Sequence, residues 1–264
     1  MDLPVLKPVT THRDLLLAWT FRIIRARYQQ SFLGLLWAIL QPAAQVLVFT
    51  IIFTQFVPIQ TGNTAYILFS SVAMVPWTFF ANSLTDMVNS LVENMNLVTK
   101  VYFPREILPL AALLARFADF IIASLMLVLL MLFLGAKVHL QGLLLIPLIV
   151  LVQVALALGL GLIGAALNVY YRDIKHIFNL GIELWKYVTP VFYPLATVER
   201  APEWLQKIYF LNPMVGVIQS YRDVLLEGRL PGSLLALSAG IALAVLVLGY
   251  WFFKRMEFQF ADVV

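Results

Sequence analysis

Residues 142–168 read GLLLIPLIVLVQVALALGLGLIGAALN, and no charged side chain interrupts them. A hydrocarbon core about 30 Å thick needs about 20 apolar residues of helix, so this stretch predicts a helix that crosses a membrane. Five other segments share this character, although the second has a polar C-terminal end. The six predicted spans cover residues 32–57, 65–90, 107–135, 142–168, 176–196 and 233–253.

The composition of the whole chain favours the same class. Its 264 residues are 62% hydrophobic and 12% charged, whereas a soluble domain has about 25% charged residues. The sequence therefore predicts an all-α integral membrane protein. It has no cysteine, and its histidines, His12, His139 and His176, are scattered. We therefore expect no disulfide and no metal site built from thiolates or histidines.

Lysine and arginine indicate the orientation. With both termini in the cytoplasm, the inner segments hold most of these residues, and the first outer loop, FVPIQTGNT at 56–64, holds none. Positive charge concentrates in cytoplasmic segments, so we predict cytoplasmic termini, which an even number of spans allows. The N-terminus lacks the pattern of a secretory signal, and we expect no cleaved signal peptide.

The arm at residues 1–31 combines apolar residues at helical spacing with arginines. The apolar positions are Leu15, Leu16, Trp19, Ile23 and Ile24, and the arginines are Arg22, Arg25 and Arg27. This pattern predicts a basic amphipathic helix that lies in the membrane interface. The alternative is a soluble helix that packs on a partner. We expect the remainder, 32–264, to form one membrane domain.

The segment between the second and third spans contains NLVTKVYFPREILPL, residues 96–110. Asn94 or Asn96 can cap a short helix, and Pro104 would stop it, which predicts a helix over 94–105. Charged and aromatic side chains in this segment suit docking into a groove of a partner, namely Lys100, Tyr102, Phe103 and Arg105. The alternative is a helix that lies idle at the headgroups.

The turn between the fourth and fifth spans carries Arg172 and Asp173 in NVYYRDIKHI. These residues can pair with a partner, or they can form an ordinary charged loop.

Charged residues inside spans are costly, at roughly 2.5–3.5 kcal/mol each, so they usually pair or face water. Two opposite-charge pairs with a spacing of three share a helix face. They are Arg116 with Asp119 and Glu183 with Lys186. Other polar residues are expected at a similar depth, namely Gln41, Gln45, Asn82, Asp86 and Asn89. The pattern predicts a polar vestibule open to the cytoplasm, or alternatively internal pairs that staple helices together.

Aromatic residues are dense in WKYVTPVFYPL, residues 185–195. Trp185, Tyr187, Phe192 and Tyr193 fit an interfacial belt, or the lining of a path for sugars. We expect Pro190 and Pro194 to kink or end this helix. Beyond it, residues 197–231 predict two short amphipathic helices that dip into the outer leaflet, with a surface cap as the alternative.

The chain lacks the phosphate-binding motif G-x-x-x-x-G-K-[ST] as well as H-E-x-x-H and G-x-S-x-G. We therefore expect a non-catalytic subunit.

Several short motifs, in this order and against six spans, resemble one family. They are RARYQQSFLGLLWAILQP (25–42), VTKVYFPREILPL (98–110), NVYYRDIKHI (168–177), TPVFYP (189–194), NPM (212–214) and FADVV (260–264). Over nearly its whole length the chain resembles the membrane-spanning permease of type-2 ABC exporters, in the branch that moves polysaccharides and lipid-linked O-antigen.

This resemblance implies a homodimer in the bacterial inner membrane that binds two copies of a separate ATPase. ATP and magnesium would belong to that partner, with no cofactor in this chain and no role for nucleic acid. Residues 94–105 would be the coupling helix, and 197–231 would supply gate helices on the outer side. The substrate would be a glycan on undecaprenyl diphosphate, whose diphosphate we expect Arg22, Arg25 and Arg27 to attract.

Three alternatives stay open at this point. One is an exporter of capsule or teichoic acid, and another is a drug or small-lipid exporter of the same permease type. The third is a membrane-embedded enzyme that transfers groups onto a lipid carrier.

Overall fold

The computed structural model describes residues 12–29, 32–59, 64–101, 103–136 and 140–260, and within these ranges every regular element is helical. The helices are α1 Arg13–Tyr28, α2 Trp37–Ile51, α3 Tyr66–Glu93, α4 Met95–Lys100, α5 Ile107–Phe133, α6 Ile146–Tyr170, α7 Ile174–Val188, α8 Glu203–Phe210, α9 Pro213–Arg222 and α10 Ser233–Glu257. Shorter helical turns cover Gly34–Leu36, Ile52–Phe56, Leu140–Leu143, Leu195–Arg200 and Asp223–Glu227. The predicted all-α class is confirmed.

In the part of the chain that the structure describes, five helices are long and apolar enough to cross a membrane. They are α2 with the turn that follows it (Trp37–Phe56), α3, α5, α6 and α10. These five correspond to the first four predicted spans and the sixth.

The predicted fifth span, 176–196, is not one continuous helix. Its helix, α7, has 15 residues, about 22 Å at 1.5 Å per residue, which is less than the hydrocarbon thickness. The reason lies at Thr189, which precedes Pro190 and has an extended backbone, with φ −107° and ψ 144°. A residue before proline is disfavoured in the helical conformation, so the helix ends there, as the prolines predicted.

The central helix of the bundle is α3, which is largely buried between α5 and α6. In contrast, α2 lies at the edge and is mostly exposed. α6 packs closely along α10 because glycines face each other. A Cβ added to Gly249 would lie 2.2 Å from the carbonyl oxygen of Gly159, so only glycine permits this separation.

One apolar cluster runs through the middle of the bundle, and a second lies at one end. The second contains Leu16 of α1, Leu91 of α3, Ile107 of α5, Ala166 of α6 and Phe253 of α10. We call this the terminal end, because both described ends of the chain meet there.

The two short helices predicted within 197–231 are present as α8 and α9. The Asn212 side chain accepts a bond from the Met214 backbone N–H at 3.0 Å, which caps α9. The segment ends at Gly228, whose φ of 65° favours glycine. α9 packs against α3, α6 and α10, where its Met214 and Val217 are fully buried. The predicted dip into the outer leaflet stays a prediction.

Candidate functional site

Four charged side chains from three helices meet where α1 crosses α3 and α5. Arg27 of α1 donates to Asp86 of α3 at 2.7 Å and to Asp119 of α5 at 2.6 Å. Arg116 of α5 donates twice to Asp86, from Nε at 2.6 Å and from Nη2 at 3.0 Å, and once to Asp119 at 3.3 Å. We call these four residues the charge cluster.

The charge cluster is neutral, with two guanidinium groups and two carboxylates. Its side chains are 12–23% exposed, so each charge depends on its partners for part of its solvation. The Tyr28 hydroxyl also donates to Asp119 Oδ1 at 2.5 Å. Burial, together with this bond to a carboxylate, raises the pKa of Tyr28, which keeps the phenol protonated as a donor.

The predicted pairing of Arg116 with Asp119 is confirmed, but it is only one part of the charge cluster. The shorter bonds of Arg116 go to Asp86. Arg27 was predicted, together with Arg22 and Arg25, to attract a lipid diphosphate. In the structure two carboxylates hold its guanidinium, and its role at the diphosphate stays a prediction. The geometry of these residues is that of internal ion pairs that join α1, α3 and α5.

Two cavities adjoin the charge cluster. The first, of about 160 Å³, lies towards α2 and is lined by Gln41 and Asn82. The second, of about 460 Å³, lies between α1 and the end of α3 and is lined by Arg22, Glu93 and Asn94. Arg27 and Arg116 line both cavities. The structure therefore brings Gln41 to this site, while Gln45 is partly buried further along α2.

The other predicted pair, Glu183 with Lys186, does not form. Lys186 Nζ lies 5.4 Å from the ring centre of Tyr187 and 6.0 Å from that of Phe192. Glu183 is exposed, and no ion pair joins it to Lys186 in the described part of the chain. An aromatic face attracts the ammonium group, which explains why Lys186 turns towards the rings.

The four aromatic candidates have different environments. Trp185 donates to Asn212 at 2.9 Å, and the Tyr193 hydroxyl contacts that of Tyr209 at 3.1 Å. Phe192 is buried, with its ring centre 3.7 Å from that of Phe49. Only Tyr187 of the four is exposed, at 51%. The Phe192 side chain is therefore too deeply buried within one chain to line a path for sugars.

Side chains from α3 and α9 hold the turn after α7. Arg222 of α9 donates to the carbonyl oxygens of Val191 at 2.9 Å and Tyr193 at 3.4 Å. Tyr66 of α3 donates to the carbonyl between them, that of Phe192, at 2.9 Å. The Arg222 guanidinium carbon also lies 3.6 Å from the ring centre of Phe69.

Arg222 was not predicted as a functional residue, because the predicted spans leave it in an outer segment. The signal was present in MVGVIQSYRDVLL, where one arginine interrupts an apolar helix.

The predicted coupling helix is shorter than 94–105 and ends at Lys100. Asn94 holds the N-cap position, but its side chain donates to the Ser90 carbonyl at 2.9 Å and caps nothing. The exposed face of α4 carries Asn96, Thr99 and Lys100. Tyr102 lies outside the described residues.

Two further residues of this segment point inward. Phe103 is 8% exposed and belongs to the cluster at the terminal end, so it is not presented for docking. Arg105 bonds to Glu257 at the end of α10. Arg172 and Asp173, in the turn between α6 and α7, are exposed next to the same end of the bundle.

Comparison with known proteins shows the family. The family described as ABC-2 type transporter matches residues 14–226. The chain belongs to the ABC-2 type transporter family. It is 33% identical over 256 residues to the O-antigen export system permease protein RfbA of Myxococcus xanthus, with 96% of each chain covered.

More distant relatives of this ABC-2 family member also align over most of their length. The O-antigen export system permease protein RfbA of Klebsiella pneumoniae is 29% identical, with 95% of each chain covered. The polysialic acid transport protein KpsM of Escherichia coli is 23% identical, with 89% of this chain and 91% of KpsM covered.

As an ABC-2 family member with five long apolar helices, the chain is a multi-pass membrane protein and a transport component.

Proposed function

We propose that this chain is the permease of an ATP-driven exporter that moves a lipid-linked polysaccharide across the bacterial inner membrane. The observation that carries the proposal is the similarity, over 96% of both chains, to an O-antigen export permease. The substrate class is a glycan on undecaprenyl diphosphate. KpsM is named for polysialic acid transport, so a capsule-type glycan is the second candidate.

We propose six membrane crossings, with α7 and the turn after it forming the fifth. α7 starts four residues after Tyr170, at the terminal end, and Phe192 then stacks on Phe49 in the last turn of α2, at the opposite end. The described chain both begins and ends at the terminal end, which supports an even number of crossings. The distribution of Lys and Arg favours a cytoplasmic terminal end.

The terminal end is the proposed docking surface for a separate ATPase. There, α4 exposes Asn96, Thr99 and Lys100. The turn between α6 and α7 exposes Arg172 and Asp173 at the same end. A short helix with a polar exposed face and an apolar anchored face can seat in a groove without losing its own packing. Two copies of this chain with two ATPases would form the working exporter, with ATP and magnesium on the ATPases.

α1 is the proposed entry surface for the lipid diphosphate. Its outward face carries Leu17 and Phe21, both exposed, which suit the membrane interface. Arg22 and Arg25 are exposed beside them, and Arg22 lies 4.1 Å over the ring of Trp19. A guanidinium donates bidentate hydrogen bonds to phosphate, so we assign this role to Arg22 and Arg25, two of the three arginines predicted for it.

A deletion strain tests the transport proposal. We expect loss of surface polysaccharide and accumulation of the undecaprenyl-linked glycan on the cytoplasmic side of the inner membrane. Plasmid-borne chain should restore export. Unchanged surface polysaccharide, with no trapped lipid-linked glycan, would contradict the proposal and favour a small-lipid or drug exporter.

A further inference from the structure

The segment before α5 is joined to the end of α10 by a compact set of charged contacts. Lys254 Nζ lies 2.7 Å from Glu106 Oε1 and 2.8 Å from Glu257 Oε2. The Arg105 backbone N–H donates to Glu257 Oε1 at 3.1 Å, and its guanidinium donates to the Glu257 carbonyl oxygen. We call these four residues the α10 clamp.

The two carboxylates of the α10 clamp are largely withdrawn from solvent. The Glu106 side chain is 2% exposed and that of Glu257 is 13% exposed. A carboxylate so deeply buried depends on its cation, because a charge without a partner is strongly destabilised away from water. Glu106 also directly precedes the first turn of α5, where the helix dipole favours negative charge.

An apolar layer lies beside the α10 clamp. Phe103 shares a cluster with Phe253 and Phe260, whose ring centres are 5.6 Å apart. The Tyr170 hydroxyl, at the end of α6, bonds to the Met256 carbonyl at 3.2 Å. The segment that follows α4 is therefore anchored by both charged and apolar contacts to the last turns of α10.

α10 itself reaches the opposite end of the bundle. It packs on α9, where a Cβ on Gly216 would lie 2.4 Å from the Leu234 carbonyl oxygen. α9 in turn carries Arg222, which holds the turn after α7. A continuous path of close contacts thus links the segment beside α4 to the turn held by Arg222, without passing through α3 or α5.

We propose that the α10 clamp makes α10 move together with α4. Lys254 is the key positioning residue of the clamp. The chain itself connects α4 to its neighbours α3 and α5. The α10 clamp adds a connection to a third long helix, α10. This inference rests on the proposed function, because it presumes an ATPase that moves α4. A rigid helix with contacts at both ends can carry such a displacement.

The variant Lys254→Gln tests the clamp in the complex of the permease with its ATPase. We measure the ATPase that co-purifies, its rate of ATP hydrolysis, and the hexose in surface polysaccharide per cell. We expect assembly to be retained and export per ATP hydrolysed to fall about fivefold or more, a typical effect of lost coupling. Arg255→Gln is the matched control, because Arg255 is the next residue, is exposed, and lies over Trp251. Its export should not change.

A charge exchange separates coupling from folding. Glu106→Lys combined with Lys254→Glu keeps an opposite-charge pair, and Glu257→Gln is added because Glu257 would otherwise face a second carboxylate at position 254. This exchange variant should recover part of the export lost in Glu106→Lys or Lys254→Glu alone. If Lys254→Gln fails to assemble, the exchange variant decides. An exchange variant that assembles with the ATPase and exports supports the clamp. An exchange variant that assembles without exporting, or that does not assemble, overturns it.

Spin labels at Val101, which directly follows α4, and at Phe258, both exposed, report the motion directly. Their separation should stay constant between nucleotide-free and ATP-trapped wild-type complexes and should change in Lys254→Gln. A change in the wild type would overturn the clamp, as would full export by Lys254→Gln, and in both cases the proposed function stands. If no ATPase binds the wild-type chain, the proposed function fails and the clamp fails with it.

Discussion

Arg27 and Asp119 are 92 positions apart in the sequence, yet their side chains are joined by a 2.6 Å hydrogen bond. This bond ties the N-terminal helix α1 to α5, and the second bond of Arg27, to Asp86, ties α1 to α3. Helix α1 is therefore an integral part of the bundle at the depth of the charge cluster.

Arg27→Gln should lower the free energy of unfolding by about 3 kcal/mol, because removing one partner leaves a partly buried carboxylate uncompensated. Thermal unfolding of the purified protein in detergent measures this change. Arg25→Gln, on the exposed face of the same helix, should leave the unfolding temperature unchanged. Adding Asp119→Asn to Arg27→Gln restores neutrality and should recover part of the loss. Equal unfolding temperatures for Arg27→Gln and wild type would contradict the structural role of the charge cluster.

Arg22→Gln with Arg25→Gln should reduce export without changing stability. Hydrogen bonds to charged groups contribute about 1.5–3 kcal/mol each, so binding of a diphosphate lipid should weaken about tenfold or more. Retention of the extracted undecaprenyl-linked glycan by the immobilised complex provides the measurement. Lysine at both positions keeps the charge and should retain part of the binding. Wild-type retention by the glutamine variant would exclude α1 as the diphosphate surface.

Phe103→Ala and Lys100→Glu should separate packing from docking. Phe103 is buried, so its truncation should cost about 3–5 kcal/mol of stability. Lys100 is exposed on α4, so its reversal should leave the unfolding temperature unchanged and reduce the amount of ATPase that co-purifies. The pair of measurements would refute this assignment if Lys100→Glu retained the ATPase fully, or if Phe103→Ala unfolded at the wild-type temperature.

Arg222→Met should loosen the turn after α7, because the carbonyl oxygens of Val191 and Tyr193 lose their donor. Hydrogen–deuterium exchange over residues 189–194 should become faster, while exchange in α3 stays slow. Arg229→Gln is the control, since Arg229 is exposed and pairs only locally with Glu227, at 3.1 Å. Unchanged exchange in the turn would show that Tyr66 and the packing of Phe192 hold it without Arg222.

The parts of the fold that follow from local pattern were predictable. Five of the predicted spans are long helices because an apolar run of sufficient length has few alternatives in a membrane. The contact of Arg116 with Asp119 follows from a spacing of three on one helix. The two short helices within 197–231 were likewise predicted from local pattern.

The parts that depend on distant contacts were not predictable. Nothing in the sequence near Arg27 reveals that Asp86 lies beside it, because 59 positions separate them. The inward direction of Phe103 depends on the position of α10, which the segment itself does not encode. Arg222 was missed for the same reason, since its partners are backbone carbonyls of another element, which have no sequence signature.

The glycine contact between α6 and α10 has a mechanical consequence. In a bilayer, lipid tails replace apolar contacts between helices almost without cost, so close backbone packing is a main source of helix association. Gly159 and Gly249 provide such packing. We therefore expect α6 and α10 to move as one rigid unit. α2 and α7 have wide faces outside the bundle and no comparable constraint. The bundle thus divides into a rigid part, α6 with α10, and a less constrained part, α2 and α7. A passage wide enough for a glycan would open along α2 and α7.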